Sequence, residues 1–322
     1  MGEIFVVVEH RKGEVREVTY QMLWKANDLC QKLSHTLTAV LIGGKDEPFL
    51  NELKERADKV IAVEGLQNFN GDLYKEILFR LIQEHKPLLT LVAHTPWGMD
   101  FAPSLSVKLG YPIVTDCVDV VVDNGRPKAV RQIYSGKMFS RVAFQEAPGY
   151  LITIRSGAFP AEKAGDHKGE VVRKPMPADL PQVGKQFVAF EDAGAGAVDI
   201  TQAELLVSIG RGVGEADKVP IVKELADKMK GVLSCSRPVV DKNWLPKYHQ
   251  VGTSGKSVKP KVYLAFGISG AFQHVAGITG AGCVIAVNKD KKAPIFRVAD
   301  YGVVEDLFKV VDALKAKLAQ KV

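Results

Sequence analysis

Cysteine is scarce in this sequence, with four among 322 residues. Cys30, Cys117, Cys235 and Cys283 each stand alone in an apolar run, and no C-x-x-C pair offers a zinc or iron–sulfur site. Buried thiols in a reducing compartment are the plain expectation, and no metal is expected. A dominant charge is missing as well: 43 basic residues face 37 acidic ones, for a net +6. That spread gives neither half the footprint of a nucleic-acid binder or a polybasic membrane tether, and suits acidic protein partners at most. No stretch approaches the roughly 18 consecutive apolar residues of a membrane span. The first ten residues lead straight into a strand pattern, without the charged region, long apolar region and cleavage site of a secretory signal. A cytoplasmic protein with no integral membrane segment is therefore expected. Trp24, Trp97 and Trp244 are too scattered to stack single-stranded nucleic acid, so no nucleic-acid partner is expected. No period of about 20–50 residues repeats, which argues against a solenoid.

What is present is an α/β pattern. Hydrophobic residues make up 46% of the chain, enough for a large core at a length that favours two domains. Short apolar runs at 4–8, 37–42, 59–63 and 88–93 read as strands, and amphipathic stretches at 21–33, 48–57, 72–84 and 100–109 read as helices between them. This alternation predicts a sheet covered on both faces. The β-branched segments 118–122, 130–134, 141–144 and 150–154 read as late or antiparallel strands. Residues 157–196 are richer in Pro, Gly, Ala and charge, and predict a partly structured linker with a boundary near Asp199. A second α/β unit follows, with strands at 205–209, 231–234, 262–266 and 284–287 and helices at 218–230 and 303–318. The expected fold is thus an N-terminal α/β sheet domain with its linker over 1–199 and a Rossmann-like or flavodoxin-like parallel-sheet domain over 200–322.

Candidate chemistry concentrates in the second unit. The run 262–274 passes from an apolar strand through Gly267, Ile268, Ser269, Gly270 and Ala271 into a helix beginning with Phe272, Gln273 and His274. Small residues there allow close backbone approach to a phosphate, and a following helix N-terminus supplies N–H groups for it. Taken alone, such a turn needs glycine for backbone geometry as readily as for a ligand. Gly210-Arg211-Gly212 follows the first strand of this unit, where open sheets bind ligands, and its arginine suits a pyrophosphate or simply a solvated loop. Ser236-Arg237-Pro238 ends the next strand. The polar loop Gln250-Val251-Gly252-Thr253-Ser254-Gly255-Lys256 reads as a ligand loop or as a surface turn. Elsewhere, His94 beside Thr95 at a strand end has no identifiable partner acid or nucleophile and reads as a turn or interface histidine. Asp300-Tyr301-Gly302 reads as a capping turn before the last helix.

Taken together, Ser236-Arg237-Pro238-Val239-Val240-Asp241, Gln250-Val251-Gly252, Gly255-Lys256, Gly267-Ile268-Ser269-Gly270-Ala271, Gln273-His274, Asn288-Lys289-Asp290, Ala293-Pro294-Ile295-Phe296 and Ala299-Asp300-Tyr301-Gly302 closely resemble the C-terminal domain of electron transfer flavoprotein alpha subunits in order and spacing. The N-terminal part resembles the same family more loosely, through its strand-rich start, residues 100–110 and Arg155-Ser156-Gly157-Ala158-Phe159-Pro160. The resemblance implies an FAD carrier that forms a heterodimer with a beta subunit through residues 1–199. Such a carrier passes electrons from flavin dehydrogenases, as in fatty acid β-oxidation with acyl-CoA dehydrogenases, to an acceptor such as a quinone oxidoreductase. It also implies that work within an electron-bifurcating complex depends on whether the beta subunit holds FAD or AMP.

By the same likeness FAD is lined by Arg211, Ser236 and Arg237, by Gln250, Val251, Gly252, Thr253 and Ser254, by Gly267, Ser269, Gly270, Ala271, Phe272, Gln273 and His274, and by Asn288, Asp306 and Leu307. Arg237, Ser254 and His274 are implied as the groups that tune the flavin. Arg237 lies against the isoalloxazine ring in this reading, Ser254 at its N5 and His274, neutral or charged, near the pyrimidine oxygen. Thr253-Ser254 stands where relatives have Gln-Thr, which implies a shifted flavin potential. A Rossmann-like NAD-dependent enzyme with its own small substrate is the alternative. It lacks full G-x-G-x-x-G spacing at Gly210-Arg211-Gly212-Val213-Gly214 and a clear acidic ribose reader. A nucleotide-sensing module without redox work is a third reading.

Overall fold

The aliphatic runs of the first half become the inner strands of one sheet, because each is too short for a helix and is buried on both faces. A computed structural model describes residues 2–43, 47–134, 136, 138–190 and 199–320. The chain divides into two units, Met1–Ala189 and Phe190–Val322.

The first unit runs β1 (Glu3–Val7), a small hairpin of β2 (His10–Arg11) and β3 (Glu14–Val15), α1 (Glu17–Leu33), β4 (Thr36–Ile42), α2 (Glu47–Lys54), β5 (Lys59–Glu64), α3 (Gly71–His85), β6 (Leu89–Ala93) and α4 (Pro96–Leu109). It continues through β7 (Ile113–Asp123), β8 (Arg126–Ile133), β9 (Met138–Ala143), β10 (Tyr150–Ile154) and β11 (Glu170–Pro175). Nine of these strands form one sheet in the order β11-β5-β4-β1-β6-β10-β7-β8-β9. The two-residue repeat of a strand sends Ile4, Val6 and Val8 to one face and Phe5 and Val7 to the other. On the first face they meet Met22, Leu23 and Leu29 of α1, and on the second Tyr74 and Leu78 of α3 and Phe101 of α4. Each such fully buried side chain contributes about 1.5–3 kcal/mol. Asn70 starts α3 by accepting from the N–H groups of Asp72 and Leu73, and Thr95 starts α4 by accepting from Gly98.

Of the segments expected as late or antiparallel strands, β7, β8 and β9 form an antiparallel run, and Tyr150–Ile154 is a late strand that enters in parallel between β6 and β7. The sheet departs from expectation in one place. Within the stretch expected to be a linker, Glu170–Pro175 pairs in parallel with all six residues of β5. As an edge strand with one solvent-facing side it carries charge where an inner strand would be apolar. Residues 191–196 of that expected linker lie outside the described residues.

The second unit comprises β12 (Leu205–Ile209), α5 (Val219–Lys228), β13 (Val232–Cys235), α6 (Arg237–Asp241), β14 (Val262–Phe266), α7 (Phe272–Val275), β15 (Val284–Val287), β16 (Tyr301–Val303) and α8 (Leu307–Ala319). Its five strands are all parallel in the order β13-β12-β14-β15-β16. That is the flavodoxin-type order, and the chain reverses its direction of winding between β12 and β14.

Tyr301 and Gly302, expected in a capping turn, and Val303, expected to open the last helix, are instead the edge strand β16, while Asp300 Oδ2 accepts from the N–H of Val284. The last helix starts at Leu307 rather than 303, because Asp306 caps it by accepting from Phe308. The helix expected after the 267–271 turn is a single turn, Phe272–Val275, and beyond it Gly277 packs against the backbone of Gly252, with a Cβ there falling 2.6 Å from the Gly252 nitrogen. Among the described residues, no helix is long and apolar enough to cross a membrane and no three metal-ligating side chains gather.

Candidate functional site

In open parallel sheets, ligands collect beyond the C-terminal ends of the strands at the winding reversal. At that place in the second unit, a cavity of about 560 Å³ opens among the loops that follow β12, β13, β14 and β15. Its floor is backbone. Gly210 N–H donates to Phe266 O at 2.9 Å, and Gly212 N–H donates to Gly267 O at 3.0 Å. A Cβ on Gly212 would sit 2.6 Å from the Cα of Gly267, so only glycine permits this approach. The loop after β13 is drawn in by Val251 N–H, which donates to Cys235 O at 2.9 Å, and by Thr253 N–H, which donates to Gln273 O at 2.8 Å. Gly252, at φ +134°, makes the bend between them. Asn288 closes the far side by donating from Nδ2 to Ile268 O at 2.9 Å.

Of the residues expected at the site, Arg211, Ser236, Arg237, Val251, Gly252, Thr253, Ser254, Gly267, Ser269, Ala271, Gln273, His274 and Asn288 line this one cavity. The other five do not line it. Gln250 is buried behind the wall, where its Nε2 donates to Ser254 Oγ at 2.8 Å. Gly270, at φ +84°, lets the loop run against Ile295. Phe272 begins α7, Asp306 caps α8, and the Leu307 side chain is in the core. The wall also includes Gly212, Pro238, Asp241, Ile268, Asp290, Ala293 and Pro294. Asn288 is implied by the resemblance alone; the rule that ligands collect beyond strand ends points to the whole loop after β15, and helical spacing from Arg237 to Asp241.

The electrostatics are uneven around the cavity. Arg237 is 67% exposed and its Nε lies 3.5 Å from Asp241 Oδ2, one turn on in α6. His274 is buried, with Nδ1 3.2 Å from Val251 O and Nε2 2.8 Å from the Tyr263 hydroxyl. Burial pushes its pKa down to about 4, against a smaller upward pull from the Val251 carbonyl, so the ring is neutral at pH 7. Hydroxyls and amides of Thr253, Ser254, Ser269 and Gln273 stand exposed around it.

This donor set fits a dinucleotide cofactor. Two guanidinium groups are available for a pyrophosphate and a polar ring edge, hydroxyls and amides for hydrogen bonds, and Val251, Ile268 and Ala293 for an apolar ring face.

In the first unit, His94 has closer company than the sequence indicated. Its Nδ1 is 2.9 Å from Thr153 Oγ1 and its Nε2 3.8 Å from Asp116 Oδ1. Asp116 is held by both arms of Arg155, at 2.8 and 2.7 Å. Burial lowers the His94 pKa, and the Thr153 hydroxyl beside it is buried and accepts from the Asp116 N–H at 3.0 Å.

The family model described as "Electron transfer flavoprotein FAD-binding domain" matches residues 199–279, and "Electron transfer flavoprotein domain" matches residues 4–179. The "Electron transfer flavoprotein subunit alpha" of Methylophilus methylotrophus is 36% identical over 99% of this chain and 100% of its own length. The protein of the same name from Syntrophomonas wolfei subsp. wolfei is 37% identical over 99% of each chain. "Protein FixB" of Clostridium saccharobutylicum is 33% identical over 98% of this chain and 95% of its own.

Proposed function

This chain belongs to the electron transfer flavoprotein alpha-subunit family and carries that family's FAD-binding domain, and from this premise we propose that the cavity beyond β12–β15 seats the flavin cofactor. The observation that carries this reading is the convergence of thirteen residues, dispersed over Arg211 to Asn288, on one cavity at the winding reversal. The flavin supplies reversible electron uptake and release when bound.

The side chains divide the work. Arg211, beside the glycine floor, pairs with the pyrophosphate. Arg237 places a fixed positive charge beside the ring system and so favours whatever negative charge reduction brings there. Ser254 points a hydroxyl at the ring edge, with Gln250 donating to its oxygen so that its proton is free to be given. Thr253, shorter than the glutamine of relatives, withdraws one amide from the site.

The first unit, in the same reading, joins a beta subunit, and the heterodimer works in the cytoplasm. It exchanges electrons between flavin dehydrogenases and an accepting oxidoreductase, with no substrate of its own bound by this chain. A dinucleotide fit suits the NAD-enzyme alternative as well, but both matching family models are those of electron transfer flavoproteins.

Co-expression with a candidate beta subunit, followed by stepwise reduction with dithionite under visible spectroscopy, tests the proposal. Stoichiometric FAD that accepts electrons in two resolved steps is the expected result. A colourless complex that binds NAD overturns it.

A further inference from the structure

His274 is the one imidazole on the cavity wall, and both of its nitrogens are engaged within the protein. A backbone carbonyl only accepts, so the contact of Nδ1 with Val251 O at 3.2 Å requires the proton on Nδ1. In a neutral ring Nε2 is then a bare acceptor, and the Tyr263 hydroxyl 2.8 Å away must donate to it. Tyr263 comes from the middle of the sheet, on β14, and is fully buried.

We propose that Tyr263 is a positioning residue of the cofactor site: it donates to His274 Nε2 and holds the cavity imidazole as the neutral Nδ1–H tautomer. The wall at His274 therefore offers no N–H and no positive charge to a bound molecule, and Arg237 is the fixed cation that remains on the β13 side. The groups around the ring agree with this. β14 contributes Tyr263, β13 contributes the Cys235 thiol near that phenol, and the loop after β13 contributes the Val251 carbonyl. The charged residues of the cavity wall are Arg211, Arg237, Asp241 and Asp290, and among the described residues no carboxylate pairs with the imidazole. The arrangement belongs to the chain itself, and only its consequence for flavin potential rests on the function proposed above.

The test uses the full chain in complex with its co-expressed partner, labelled with nitrogen-15 at histidine. Long-range proton–nitrogen correlation spectra report which ring nitrogen is protonated, and His274→Gln identifies the resonances. Wild-type His274 is expected to keep the Nδ1–H signature from about pH 8 down to about pH 5. Tyr263→Phe is expected to mix the tautomers and raise the titration midpoint by at least about one pH unit, since the acceptor nitrogen is freed to bind a proton. The one-electron midpoint potential, flat in this range for the wild type, should then acquire a pH dependence. A wild-type proton on Nε2 overturns the proposal, as does Tyr263→Phe with an unchanged tautomer and titration. Should that variant fail to fold, the wild-type spectrum still decides. A flavin-free complex showing the expected tautomer supports this inference while refuting the proposed function.

Discussion

Gly212→Ala tests the glycine floor of the cavity. The new methyl carbon would lie 2.6 Å from Gly267 Cα and 2.8 Å from Gly267 O. Carbon atoms rest at about 3.5–4.0 Å, so the ends of β12 and β14 must part by about 1 Å. Both contacts are backbone, and no side chain can turn aside to relieve them. Overpacking of this kind costs about 1–3 kcal/mol. Stretching the Gly212 to Gly267 hydrogen bond, 3.0 Å in the native chain, adds about 1 kcal/mol. The sum, about 2–4 kcal/mol, lowers the folded-to-unfolded ratio by a factor of about 30 to 10³. The melting temperature should fall by roughly 10 °C. Because the displaced strands frame the cavity, flavin content after purification should fall with it. Thermal melts and the flavin-to-protein absorbance ratio give both quantities, with Gly184→Ala, whose Cβ meets nothing within 4 Å, as the control. A variant that melts with the wild type and keeps its full flavin refutes the argument that this approach requires glycine.

Three other perturbations have definite outcomes. Arg237→Ala should lower the one-electron flavin potential by about 1–2 kcal/mol, roughly 40–90 mV, and Arg237→Lys should restore only part of it; an unchanged potentiometric titration would remove Arg237 from the tuning role. His274 is depressed from 6.5 to about 4 by burial, so the folded state binds fewer protons in that window. Its stabilising contribution is complete above about pH 6.5 and fades as pH falls toward 4, a slope that His274→Gln should flatten in denaturant melts at stepped pH. Burial pushes Cys30, Cys117 and Cys235 up to about 12. A thiol reagent at neutral pH should therefore label none of them until denaturant is added, and mass spectrometry of the labelled peptides identifies any exception.

The strand-end logic explains why so much of the cavity was legible in the sequence. Arg211, Ser236, Arg237 and Ser269 each follow an apolar run that reads as a strand of an α/β unit, and the winding order brings those ends together; Asn288 comes from the resemblance. Edge elements were illegible for the complementary reason. Glu170–Pro175 and Tyr301–Val303 each have one open side, so burial does not stamp a two-residue apolar pattern on them. Asp306 and Leu307 follow a strand end as well, but their side chains are used for capping and packing, a choice that spacing does not reveal. Gln250 reaches the cavity only through Ser254, and Tyr263 only through His274. Gln250 stands in a loop that reads as polar and Tyr263 in an apolar strand, and neither indirect role shows in the sequence, because hydrogen-bond direction depends on partners brought close by folding.

The pairing of β11 with β5 has a bearing on how the chain is made. β5 emerges early, yet the strand that covers its outer edge follows roughly a hundred residues later, on the order of ten seconds at about 5–20 residues per second of synthesis. During that interval Val60, Ile61, Ala62 and Val63 stand beside a row of open backbone donors and acceptors, the template on which chains associate wrongly. Truncation before Glu170 would leave that edge uncovered permanently. Nascent chains stalled there should be the ones that holdase chaperones retain and that aggregate when those chaperones are depleted.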